Sequence, residues 1–309
     1  MEDEGDWLID TSNGVFQSHY ILGEIIGRGS ISTIHSCLYK GRKKYACKII
    51  PKSRMIKEET RARIKTLLKI HHENIVTVRE IYEDTRRLYM VGDLASGGEL
   101  LERLASRKEY SERDAAKAAR DALAALEYIH GMGVCHGSVR PEKFLYATEH
   151  ENSRLLLTSI GISKFLPNSY NILYCAPEVI NTGIICPAAD IWSLGVVIYI
   201  MLCGFEPTRE ARETLFPSPY WDDKTDEAKD LITELMQECP EKRPTARDLL
   251  NNVWISGETN AEHSMTDAVK HLRQFNARRK FKAATHAVRA THRAIALSHF
   301  HQEITQTAK

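Results

Sequence analysis

The chain reads as an α+β protein of two lobes, a small β-rich one followed by a larger helical one. Three observations predict this. Between Tyr20 and Ala95 apolar residues fall in short runs rich in Ile, Val and Tyr, such as Tyr45-Ala46-Cys47-Lys48-Ile49-Ile50, the composition of strands. From Ser111 onward the spacing changes to that of helices, with Ala119, Leu123, Leu126 and Ile129 on one side. The apolar run Ile191 to Phe205 is broken by Ser193 and glycines and is too short to span a bilayer, so it is expected as a buried helix of the second lobe.

Four segments follow. Residues 1–17 are polar and acidic, with Asn13-Gly14 as a turn signal, and are expected as a flexible leader. Residues 18–94 form the small lobe, 95–256 the large lobe, and 257–309 a tail. In the small lobe, the strand from Tyr20 runs into Gly27-Arg28-Gly29-Ser30-Ile31-Ser32-Thr33-Ile34. Gly27 and Gly29 would let main-chain amides approach phosphates, although taken alone a plain hairpin turn is the stronger reading. Lys48 stands alone inside an apolar strand, where its ammonium is costly without a partner. Residues 54–70 read as a basic helix, and 75–95 as two strands followed by Ser96-Gly97-Gly98-Glu99-Leu100. In the large lobe Ser111 and Asp114 form a capping box for a long helix that Gly131 ends, and Thr225 caps another.

Net charge is +1, with 43% hydrophobic and 27% charged residues, so nothing in the overall charge draws the chain to nucleic acid or a membrane surface. The seven cysteines are scattered without a C-x-x-C pair, which argues against a zinc site or redox dithiol and for free thiols in a reducing compartment. Met1-Glu2-Asp3-Glu4 is acidic and precedes no apolar stretch, so no signal peptide is expected. A cytoplasmic monomer without membrane insertion is expected, with the nucleus as the alternative location. The tail differs in character: Lys270, Arg273, Arg278, Arg279, Lys280, Lys282, Arg289 and Arg293 interleave with Leu272, Phe275, Phe281, Val288, Ile295 and Leu297. A basic amphipathic helix of this kind is a calmodulin-target or membrane-surface pattern, against the plainer alternative of a helix packed on the large lobe. The tail histidines show no ligand spacing, and no metal site is expected.

Several motifs carry a resemblance. They are the glycine-rich run with Lys48, His136-Gly137-Ser138-Val139-Arg140-Pro141-Glu142-Lys143-Phe144-Leu145, Thr158-Ser159-Ile160-Gly161, Cys175-Ala176-Pro177-Glu178, and Pro240-Glu241-Lys242-Arg243-Pro244. From about Tyr20 to Ile255 the chain resembles the calcium/calmodulin-dependent protein kinases. Trp7-Leu8-Ile9-Asp10, Cys203-Gly204-Phe205-Glu206-Pro207 and Phe275-Asn276-Ala277-Arg278-Arg279-Lys280 point to their type IV. The resemblance implies the bilobal kinase fold and a nucleotide site of Gly27, Gly29, Ile34, Ala46, Lys48, Asp93, Ala95, Glu99 and Leu145. It makes His136, Glu178, Asp190 and Arg243 framework residues. Ser138 takes the catalytic-base position, with Arg140 beside it. The resemblance also makes residues 257–309 an autoregulatory tail, a C-terminal regulatory helix that lies against the kinase domain when free. Calmodulin is the implied partner, through Phe275, Arg278, Arg279, Lys280, Phe281, Lys282, Val288 and Ile295, with Ca²⁺ acting only through calmodulin.

The departures fall where the chemistry would occur. Ser138 and Ser159 replace the two aspartates of the kinase pattern, Lys143 the asparagine, and Gly137 the arginine. Arg63 stands at the position of the glutamate that would pair with Lys48, with Glu59 one turn earlier as an alternative. The segment from Ser159 to Glu178 contains no threonine, and Gly92 replaces a larger side chain at the back of the cleft, implying an enlarged pocket. A hydroxyl is a poor general base at neutral pH, and magnesium prefers carboxylate oxygens. The leading expectation is therefore a pseudokinase that acts as a Ca²⁺/calmodulin-responsive binding or scaffold protein for signalling proteins. ATP is a candidate ligand, and Lys143, standing where a metal ligand would be, could neutralise its phosphates without magnesium. The alternatives are an active Ser/Thr kinase and an ATP-binding module without catalysis.

Overall fold

The computed structural model describes residues 15–29, 32–55, 64, 66–160, 172–207, 215–282 and 285. Strands β1 (Tyr20–Arg28), β2 (Thr33–Tyr39), β3 (Lys43–Pro51), β4 (Val78–Glu83) and β5 (Arg87–Gly92) form an antiparallel sheet in the order β1-β2-β3-β5-β4. Alternation along β3 decides which side chains face the cleft. Tyr45, Cys47 and Ile49 point into a cluster with Tyr20, Tyr82, Tyr89 and Val91. Ala46 and Lys48 point the other way, and the register sets Gly27, Ile34, Lys48 and Met90 abreast across four strands.

Two expectations are corrected here. Phe16 does not belong to a free leader: it is 3% exposed, in a single helical turn Phe16–His19, and stacks on Tyr89 at 4.8 Å between ring centroids. The small lobe therefore begins at least two residues earlier than composition suggests. Nor does Gly92 open a back pocket on its Cβ side. A Cβ there would lie 2.7 Å from the Thr77 carbonyl oxygen, so the chain entering β4 already fills the space.

In the large lobe, α1 (Leu100–Ser106) leads to α2 (Glu112–Gly131). The Ser111 side chain accepts from the Asp114 amide, and the Asp114 carboxylate accepts from the Ser111 amide at 3.0 Å. The buried face of α2 is mostly alanine, which lets its neighbours approach closely. A hairpin of β6 (Phe144–Tyr146) and β7 (Leu155–Leu157) lies beside it. Helix α3 (Pro187–Cys203) is apolar on all sides and runs through the core. It stops at Gly204, whose φ of 82° is free of cost only for glycine. Helix α4 (Asp226–Leu235) is capped by Thr225.

Glu112 ties these helices together although it is fully buried. Its carboxylate accepts from the Thr225 amide at 2.9 Å, the Thr225 hydroxyl at 2.7 Å and the Trp254 indole at 2.9 Å. Of the tail, residues 266–282 form helix α5. Met265, Ala268, Val269 and Leu272 bury its start against the large lobe. Gly204 is the point of closest approach, since a Cβ there would meet the Leu272 amide nitrogen at 2.6 Å. No helix among the described residues is long and apolar enough to cross a membrane.

Candidate functional site: a cleft lined by cations

The segment between the lobes is fixed by its main chain. The Ser96 amide donates to Ala147 and the Gly97 amide to Tyr146, at 3.1 and 2.9 Å. An isolated bridge then sets Glu99 beside Leu145. Asp93 turns its carboxylate outward to Arg79 at 2.6 Å, which leaves its main chain as the part that can meet a ligand. Ala95 follows in the same connecting segment. The small lobe is also held to β7, where the Val76 amide donates to Leu157 and the Leu157 amide to Asn74.

Below this lies the loop from His136 to Lys143. Asp190, at the start of α3, accepts from the His136 amide at 2.7 Å, the Gly137 amide at 2.8 Å and the His130 ring at 3.0 Å. Gly137 takes a φ of 72°, which suits glycine there. The His136 Nε2–H donates to the Thr158 carbonyl, and its Nδ1 accepts from the Ser138 amide. Burial pulls its pKa down to about 4, so the ring is neutral at pH 7. Arg243 donates to both Glu178 oxygens at 2.6 and 2.7 Å, tying the Pro177–Thr182 helical turn to the base of the lobe. Ser138 borders a cavity of only about 30 Å³ shared with Arg140, Tyr174 and Cys175.

Two lysines lie within electrostatic reach of each other at the cleft. Lys48 Nζ donates to Ser159 Oγ at 3.1 Å. Ser159 holds a φ of 64°, an uncommon left-handed conformation for a non-glycine residue. Burial, and then the neighbouring Lys143 charge, pull the Lys48 pKa down to about 7. Burial and Arg140 pull Lys143 down to about 8, against the attraction of Glu142 and Glu99. Among the described residues, the Lys143 ammonium has no hydrogen-bond or ion-pair partner. The proposed facing of Arg63 or Glu59 towards Lys48 lies outside the described residues.

These residues do not fit a magnesium ion. Where a metal would need carboxylates, the loop and the β7 end offer two hydroxyls and an ammonium. No group of three or more His, Cys, Asp or Glu side chains suited to a metal occurs among the described residues. The half-buried ammonium groups of Lys48 and Lys143 suit an anion better than a cation.

Helix α5 reaches this region, through side-chain partners that the sequence did not reveal. Arg279 forms an ion pair with Glu99, another with Glu142 at 3.1 Å, and donates to Asn276 at 2.8 Å. Glu142 also pairs with Arg140 at 3.0 Å. Burial holds the Glu99 carboxyl above its ordinary range, and Arg279 opposes that shift. Lys280 pairs with Glu102 at 2.5 Å, and Arg273 donates to the Ala105 carbonyl at 2.7 Å. The tail residues expected to serve calmodulin are thus divided. Phe275 packs on the core and Arg279 and Lys280 are ion-paired, whereas Arg278, Phe281 and Lys282 are exposed. Val288 and Ile295 lie outside the described residues. The available signal was complementarity: a basic run needs acidic partners, and Glu99, Glu102 and Glu142 are present, but their proximity is tertiary.

A five-stranded antiparallel sheet over a helical lobe, with this loop between them, is the architecture of protein kinases. The chain belongs to the protein kinase domain family, whose profile matches residues 20–255. Human calcium/calmodulin-dependent protein kinase type IV is 37% identical over 325 residues, covering 98% of this chain and 68% of that protein. The mouse type IV protein is 36% identical with 98% and 69% coverage. The type 1 kinase of Caenorhabditis elegans is 34% identical over 300 residues, 90% of this chain and 86% of that protein.

Proposed function

We propose that this kinase-fold chain is catalytically impaired and serves as a binding or scaffold protein whose cleft holds the phosphates of ATP without magnesium. The observation that carries this is the pairing of Lys48 with a serine hydroxyl where a metal-binding kinase needs a carboxylate, with Lys143 as a second ammonium nearby. Phosphoryl transfer asks for a base on the acceptor hydroxyl and metal ions on the phosphates. Ser138 and Ser159 supply neither in the usual way, and losing a general base alone typically costs about 10²–10⁴ in rate. Lys48 and Lys143 would hold the phosphates, Ala46 and Ile34 the base, and the main chain of 93–95 its edge. The relatives' names support Ca²⁺/calmodulin as the partner of the tail, through Arg278, Phe281 and Lys282.

The second reading is an active Ser/Thr kinase, supported by the relatives and by the intact frame of His136, Asp190, Glu178 and Arg243. A phosphorylation assay with generic protein substrates separates the two. We expect no transfer from the natural chain, and transfer from the Ser138→Asp, Ser159→Asp double variant. Turnover by the natural chain at rates near one per second or faster would overturn the impaired reading.

A further inference from the structure

We propose that the large lobe carries a second anion site, independent of whatever the cleft binds, that receives a phosphoserine-bearing segment of a partner protein. The site is a cavity of about 540 Å³, within the usual span of roughly 300–1,000 Å³ for a ligand pocket. Helix α2 lines it with Arg113, Lys117 and Arg120. Their positions at i, i+4 and i+7 set these cations along one side of the helix. The turn between β6 and β7 adds Glu151, Asn152 and Ser153, and Ser256 and Gly257 extend the lining. Tyr146 of β6 also lines the cavity, while Leu145, on the other side of the strand, bridges to Glu99 in the segment between the lobes.

The sign of the ligand follows from which charges already have partners. Both carboxylates that α2 contributes are engaged. Asp114 Oδ1 accepts from Arg107 at 2.6 Å and Oδ2 from the Ser111 amide at 3.0 Å, and Asp121 Oδ2 accepts from the Leu155 amide at 2.8 Å. The cations differ. Lys117 donates to the neutral Asn152 Oδ1 at 3.2 Å, and Arg120 gives Nε and Nη2 to one carbonyl, that of Ile255, at 2.9 and 2.5 Å. Among the described residues neither forms an ion pair, and Arg120 Nη1 makes no hydrogen bond. Asp121, one turn on, offsets part of the Lys117 charge from a distance. Arg113 holds Glu262 at 2.7 Å, but both side chains are more than half exposed, and such a pair is weak. A phosphate dianion can take guanidinium and ammonium donors together, with stronger hydrogen bonds than neutral oxygens make. Basic clusters of this kind are a recurring way to hold phosphorylated segments. A free phosphate would fill only a fraction of the space, since a water's share of liquid is about 30 Å³, so the cavity has room for the residues around a phosphorylated side chain.

The test is fluorescence anisotropy of the full chain with a labelled peptide library, degenerate except for one central phosphoserine. It should bind at least about tenfold more tightly than the unphosphorylated library, the scale of one hydrogen bond to a charged group. Lys117→Met and Arg120→Gln should each weaken binding by about tenfold. Glu151→Gln removes a carboxylate from the lining and should tighten binding about twofold. Lys48→Met, which disables the cleft, should leave it unchanged, so that failure of this site and failure of the cleft reading are told apart. Equal binding of the two libraries, no binding of either, full binding by Lys117→Met or loss of binding in Lys48→Met overturns the proposal. Inorganic phosphate competing at the same concentration as the phosphoserine library would show an adventitious ion site only, and overturns it too. If Arg120→Gln fails to fold because the Ile255 carbonyl loses its donors, Lys117→Glu decides at an exposed position. Lost binding there supports the site, and unchanged binding refutes it.

Discussion

Replacing Ser159 by Asp asks whether the cleft is built for a bare anion or a metal complex. Lys48 Nζ lies 3.1 Å from Ser159 Oγ, so a carboxylate there would form a direct ion pair. At that separation and an effective dielectric of about 20, the gross attraction is about 5 kcal/mol. Desolvation of both groups offsets most of this. The backbone should tolerate the change, because Asp is enriched in the left-handed region that Ser159 already occupies at a φ of 64°. The assay is thermal melting with ATP in EDTA and then in magnesium. A ligand at a hundredfold excess over its Kd adds about 2.7 kcal/mol of stability. With an unfolding entropy of about 2.1 cal/mol/K per residue, this moves the melting point of a chain this size by roughly 4 °C. The natural chain should show this shift in EDTA, and the same or a smaller one with magnesium. Ser159→Asp should lose most of it in EDTA, since the new carboxylate competes with phosphate for Lys48, and regain it with magnesium. A natural chain that responds to ATP only with magnesium would refute the reasoning.

Two further outcomes are expected. Glu112→Ala strands the Thr225 amide, the Thr225 hydroxyl and the Trp254 indole in a dry interior, and should cost about 3–5 kcal/mol, read as a lower urea midpoint with an unchanged slope. Tripolyphosphate affinity should fall as pH rises from 6 to 9, because Lys48 and Lys143 lose their protons near 7 and 8. In the ligand-free chain Lys48 should contribute growing stability from about pH 7 up to about 9. There the unfolded Lys48 still carries a proton that the folded one has released, so stability rises with pH. Above about 9 the buried Cys37 and Cys47 thiols act with the opposite sign. A pH-independent affinity would show that the two ammonium groups do not hold the anion.

The parts of the fold that were legible in the sequence are those written in local chemistry. The Ser111 and Thr225 caps, the stop at Gly131 and the orientation of Lys48 on β3 each follow from a few consecutive residues. What was not legible depends on separation along the chain. Phe16 sits in a stretch continuous with an acidic segment and is claimed by Tyr89, far along the chain, so composition misassigned it. Gly92 suggested empty space because its own side chain is missing, but vacancy depends on the neighbours, and the Thr77 carbonyl had already filled it. Glu112 resembles any acidic residue in a first helical turn until Thr225 and Trp254 are brought to it.

The same distinction governs the site. Each departure at 138, 143 and 159 can be read singly as the loss of a kinase function. Their joint effect on charge appears only when the loop, β3 and the end of β7 are assembled. Positions 138, 143 and 159 bring no carboxylate to the cleft, and the carboxylates of Glu99 and Glu142 are held by Arg140 and Arg279. Lys48 is buried, and among the described residues its side-chain partner is a hydroxyl rather than a carboxylate, which leaves its charge costly in the empty protein. A lysine kept at such a cost, beside a second one that replaces a neutral residue of the family pattern, is better explained by an anion that repairs the imbalance than by a site with no remaining ligand.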